Sequence, residues 1–215
     1  LTTPLSRAAA AILIGSGETE DHGLLDFDTI WNRFHSGHAP VAHLMRHTGA
    51  KHWVRFHSLP EAKRYADNDD EVAVVLQRSH AMADLVLGDA PAWLVQGRAE
   101  WPDMDEPIIE LSDSHATIRE FGLQPSPHIY PEGDEDEPAW RPYAARVQWV
   151  ADRFTPLLRR CAEDLEGPTL WISEATGGVF APYDGGADLF LPTVDEVARA
   201  KTRWPDWLSS HPAGL

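Results

Sequence analysis

"TLWISEATGGVFAPYDGGADLFLP", residues 169–192, decides the fold. It holds three short apolar runs, TLWIS, GVFA and ADLFL, joined by glycine-bearing links of a few residues. A parallel return needs a crossover of about a dozen residues or more, so strands this close in sequence pair antiparallel. The second link carries Tyr183, Asp184, Gly185 and Gly186, with Asp188 just beyond. A hairpin turn accounts for most of it, because glycine reaches positive φ without strain and aspartate bonds its own backbone two residues on. It accounts neither for Tyr183 nor for the second aspartate, which leaves a ligand-gripping loop as the competing reading.

Downstream, Thr193 and Glu196 have capping-box spacing and open a helix through Val194, Val197 and Ala198 towards Trp204, with Trp207 and Leu208 continuing its stripe. Upstream, DRFTPLLRRCAEDLEG places Phe154, Leu157, Leu158, Cys161, Ala162 and Leu165 at helical spacing, and YAARVQWV before it reads as a strand. Residues 101–142 carry seven prolines and the acidic run EGDEDE at 132–137, a long connection with a helical turn near DSHATIREFG.

The first half alternates helix and strand. FDTIWNRFHSG sets Phe27, Ile30, Trp31 and Phe34 on one helical face, and PVAHLMRHTG gives a shorter helix from Pro40 to Gly49. HWVRFHSL reads as a strand with Val54 and Phe56 on one side and Trp53, Arg55 and His57 on the other. Asn68 and Glu71 then cap a long helix closed by Gly88, and AWLVQGR is a further strand. The expected fold is α+β, an antiparallel sheet of about five to six strands with helices packed on it. Residues 1–24 read as a loosely held lead-in to a single domain spanning 25–215.

Composition bounds the function. A net charge of -16 repels phosphate backbones and anionic lipid, so broad nucleic-acid or membrane binding is excluded and a basic protein partner is favoured. The longest lipid-like piece, AAAAILIG at 8–15, falls far short of the roughly 20 apolar residues of a membrane span. The lone Cys161 fits a reducing compartment, and the expected location is cytoplasmic.

Few residues carry specific chemistry. Six of the eleven histidines fall between His35 and His57, and His43 and His47 are four apart on a helix, able to face one cation. HLMRH lacks the glutamate of a zinc-protease helix and no cysteine lies near, so no metal or other cofactor is expected. RFHSLPEAKRYADND, residues 55–69, is the densest cationic stretch. It reads either as an anion site or as internal compensation, with Arg55, Lys63 and Arg64 pairing Asp67, Asp69 and Asp70. Cys161 sits on an apolar stripe, and no serine lies in a nucleophile elbow. Nine tryptophans supply core, and one or two supply surface anchors.

LWISEATGGVFAPYDGGADLFLP with WLSSHPAGL resembles a bacterial family of domains of unknown function, whose members end in a PYD-Gly hairpin, helix and Trp-Leu-Ser tail. RFHSLPEAKRYA is similar to an upstream block of that family. The resemblance implies no activity, but such domains look like those found near secreted-toxin systems, where small acidic proteins act as immunity partners. The leading expectation is therefore a non-catalytic protein that binds and neutralises a basic partner, through Glu132, Asp134, Glu135, Asp136, Glu137 and Trp140. The alternative is a small-ligand binder or hydrolase whose pocket gathers Arg55, His57, Tyr183, Asp184 and Asp188. That alternative requires the 55–65 and 180–192 blocks to meet in space.

Overall fold

The structure, a computed structural model, describes residues 26–101, 116–131 and 138–209. Helix α1 (Phe27–His35) is capped by Asp26, whose carboxylate accepts from the Thr29 amide, and α2 (Ala42–His47) follows. Strand β1 (Trp53–His57) leads through a single 3-10 turn at Pro60–Ala62 into α3 (Asp69–Leu87). Then come β2 (Pro91–Glu100), α4 (Ala116–Phe121), β3 (Gln124–Pro125), β4 (Tyr130–Pro131) and β5 (Ala139–Gln148). The chain continues through α5 (Ala151–Ala162), β6 (Thr169–Ser173), β7 (Val179–Tyr183), β8 (Gly186–Phe190) and α6 (Val194–Arg203).

All eight strands of the described residues form one antiparallel sheet, in the order β1-β8-β7-β6-β2-β5, with β3 and β4 both on the far side of β5. The fold is α+β. The two strands beyond the expected six are two-residue pairings that the Pro-rich connection makes with β5, too short to leave a periodic signal. Residues 169–192 form the expected meander, with Tyr183 paired to Gly186 around a two-residue turn.

Helices cover both faces, which explains why β6 and β8 are buried along their whole length. On one face α3, α5 and α6 bring Met82, Phe154, Leu157 and Ala200 onto Phe56, Leu94, Trp171 and Leu189. On the other, α1 and α2 bring Ile30, Trp31 and Met45 onto Leu170, Ile172, Val179 and Phe190. Trp31 and Trp171 are fully buried, and side chains of this size stabilise by about 2–3 kcal/mol each when removed from water. The alternation of β1 is as its sequence implies: Val54 and Phe56 are buried on the first face, and Trp53, Arg55 and His57 are half-buried on the second.

No described helix is long and apolar enough to cross a membrane. The lead-in at 1–24 and the acidic run at 132–137, with Glu132, Asp134, Glu135, Asp136 and Glu137, lie outside the described residues.

Candidate functional site

The second face is not apolar throughout. Strand β1 runs beside β8 in a register that sets Arg55 directly opposite Asp188. Arg55 donates from Nε to Asp188 Oδ1 at 3.0 Å and from Nη2 to Oδ2 at 3.3 Å, and Trp53 Nε1 adds a third bond to Oδ1 at 3.0 Å. From α2, Arg46 brings its Nε to 3.2 Å from Asp188 Oδ2. Two guanidinium groups thus share one carboxylate that is only 2% exposed.

Aromatic rings frame this cluster. The Arg55 guanidinium lies 4.9 Å from the Tyr183 ring centre and 5.7 Å from that of Trp53, and Arg46 lies 5.8 Å from Trp53. Burial pushes the Tyr183 phenol up to about 12, so at neutral pH it is a protonated donor. Burial opposes the charge on Arg55, but the hydrogen bonds and charge of Asp188 outweigh it and raise the group. Arg46 is shifted the other way: burial lowers it first, and repulsion from Arg55 adds to that against the pull of Asp188. Its Nε is buried with no hydrogen-bond partner among the described residues. The cluster carries more donors than its single acid can satisfy.

It opens into a cleft of ≈ 430 Å³ walled by α2, by residues 164–170 and by Ala181–Asp184. Leu170, Ala181 and Pro182 give it an apolar side. At the mouth, Asp184 accepts from both Arg64 Nε and the Tyr65 hydroxyl on the same oxygen, Oδ2. Glu166, also in the lining, accepts from Arg160 Nε at 2.6 Å, Thr117 Oγ1 at 2.7 Å and Gln96 Nε2 at 2.7 Å. Cys161 also lines the cleft, with burial raising its thiol to about 12, so it is no nucleophile at neutral pH.

Of the residues singled out from sequence, Arg55, Tyr183, Asp184 and Asp188 line this one cleft, and the 55–65 and 180–192 blocks meet. His57 does not line it: it pairs with Gly186 one step along the strand, and its Nε2 is buried without a hydrogen-bond partner among the described residues. Internal compensation holds for Lys63, which bonds Asp67 at 2.7 Å, but Arg55 pairs with Asp188 and Arg64 with Asp184 instead. Arg46 escaped sequence reasoning because only the packing of α2 over β8 brings it to Asp188.

His43 and His47 stand with ring centres 6.4 Å apart, and the His43 ring meets Trp140 edge-on at 5.6 Å. Among the described residues no group of three or more His, Cys, Asp or Glu side chains is placed to hold a metal ion. Trp140 is half-buried beside Gly97 on β5.

The family described as "Domain of unknown function (DUF3885)" matches residues 41–212, a span that takes in every wall of the cleft. No curated protein and no solved structure matches the chain.

Proposed function

This chain belongs to the DUF3885 family of domains of unknown function, and from that premise we propose that it is a binding protein for a small anionic ligand held in the arginine cleft. One observation carries the reading: Arg46 and Arg55 converge on the one buried carboxylate of Asp188, so that among the described residues two cations share one acid on the lining of the cleft. A buried surplus charge is costly unless an anion completes it. A carboxylate or phosphate group entering the cleft meets Arg46 and the Tyr183 hydroxyl, while Leu170, Ala181 and Pro182 take an apolar body. The volume suits a small molecule.

Binding is favoured over hydrolysis. Both aspartates of the cleft are engaged by arginines, Asp188 by Arg46 and Arg55 and Asp184 by Arg64, so neither stands free to take a proton from water. The test is a thermal-shift titration with butyrate and inorganic phosphate on the native chain and on Arg46→Gln, which leaves Asp188 its bonds from Arg55 and Trp53. We expect a saturable rise in Tm for the native chain, worth about 2.7 kcal/mol at a hundredfold excess over Kd, and its loss in the variant. An equal response in both proteins, or none in either, overturns the reading.

A second reading, a basic protein partner steered by the net charge of -16, rests on composition. It is tested by stoichiometric, salt-sensitive retention of one basic protein on the immobilised chain.

A further inference from the structure

The cleft is charged unequally from floor to mouth. On the floor, Arg46 and Arg55 face Asp188, which leaves one positive charge in excess. At the mouth the balance is reversed. Arg64, 63% exposed, is paired with Asp184, and Asp164 lines the same cleft. One cation there meets two acids, leaving one negative charge in excess. The fourth acid of the lining, Glu166, is held by Arg160, Thr117 and Gln96 and is not counted in this balance. Tyr183 joins the two ends: its ring packs on Arg55 at 4.9 Å, and the next residue is Asp184.

We infer that the ligand of this cleft is a small zwitterion, with a carboxylate on Arg46 at the floor and an ammonium at the Asp164–Asp184 mouth, as in a free amino acid or ω-amino acid. This inference rests on the anion-binding reading of the same cleft and adds the second pole to it.

Two features support the dipolar ligand over a plain anion. The mouth acids repel a molecule carrying several negative charges, so a di- or tri-anion gains at the floor and loses at the entrance. The acids at the mouth also have acceptor capacity left: both partners of Asp184 bond Oδ2 alone, and Asp164 is exposed at the end of α5. An ammonium is a compact donor with three N–H groups and suits a cleft lined by both Asp164 and Asp184.

The experiment compares butyrate, γ-aminobutyrate and butylamine by isothermal titration at low salt, on the native chain and on Asp164→Asn. Asparagine tolerates the positive φ that residue 164 adopts, so the variant keeps the backbone. The native chain is expected to bind γ-aminobutyrate about fivefold more tightly than butyrate, the size of one solvent-accessible ion pair. In Asp164→Asn that advantage shrinks while butyrate affinity holds or rises. Equal affinities for butyrate and γ-aminobutyrate in the native chain overturn the zwitterion and leave the anion site standing. Failure of both to bind overturns the two together. Butylamine binding as tightly as γ-aminobutyrate also overturns the inference, since the floor would then contribute nothing.

Discussion

Arg55 on β1 and Asp188 on β8 face one another across the sheet and bond through both carboxylate oxygens, at 3.0 and 3.3 Å. The pair is part of the strand register, so the geometry of the cleft floor is held by backbone hydrogen bonds on either side of it. Arg46 then reaches the same carboxylate from α2, in a different layer of the fold. The site is thereby tied to the packing of helix on sheet.

Asp188→Asn keeps the shape of the side chain and removes its charge, leaving Arg46 and Arg55 together without an anion. Breaking a buried ion pair from one side costs about 3 kcal/mol, and urea denaturation should show a loss of that order. Added acetate should restore part of the stability in the variant by supplying the missing carboxylate. A variant as stable as the native chain, or indifferent to acetate, argues against a buried surplus of positive charge.

Gly186→Ala tests the register itself. A Cβ at Gly186 would run into the Phe56 carbonyl and crowd the His57 Cα on the neighbouring strand, contacts made by backbone that cannot rotate away. The cost is about 2–3 kcal/mol, read as a fall in Tm, and the cleft should lose its ligand because β1 must shift from β8. An unchanged Tm would mean that the β1–β8 spacing is wider than described.

Asp184→Asn releases the segment between β1 and α3 from the hairpin. That segment carries adjacent non-glycine residues at positive φ, Glu61 and Ala62, and Arg64 and Tyr65 fasten it to Asp184. Limited proteolysis should cut faster between residues 60 and 66 in the variant, with little change in Tm because residues 60–66 contribute no buried side chain, while Leu59 before them stays in the core. Equal cutting rates would place the fastening elsewhere, at the Lys63 bonds to Asp67 and Glu71.

Acid should weaken the fold before the carboxylates titrate. Burial lowers the pKa of His35, whose Nε2 donates to the Gly177 carbonyl at 2.7 Å, and of His57, where Arg55 and Arg78 add to the effect. In the unfolded chain both take a proton near pH 6.5, about the ordinary histidine value. Below that pH the unfolded state binds more protons and stability falls; above it these groups contribute no slope. Urea denaturation from about pH 7 to 5 should show the decline, and His35→Gln, which keeps a donor for Gly177, should flatten it. A stability that rises towards pH 5 contradicts the assignment.

The sequence reveals those parts of the fold that are local. The apolar alternation of HWVRFH, the Asn68 and Thr193 caps and the glycine-linked meander each appear in the structure where the pattern places them. The pairing of β1 with β8 is not local: their partners lie 133 residues apart at Arg55 and Asp188, and nothing in either strand specifies the other. Four of the five pocket candidates share the cleft because the register sets Arg55 opposite Asp188 and the hairpin brings Tyr183 and Asp184 alongside. His57, on the same face of β1 as Arg55, sits one strand step too far along. Arg46 gives no signal, since on a short helix rich in histidine its charge looks like any solvated arginine.

The measurement that tests the account most directly is NMR of the arginine side chains during titration with butyrate. The Nε–H resonance of Arg46, which has no hydrogen-bond partner among the described residues, should shift saturably as the carboxylate arrives, with a smaller change at Arg55. Arg146, paired with Glu174 away from the cleft, should not move. If Arg46 stays fixed, or if all three move together in proportion to ionic strength, the cleft is not an anion site.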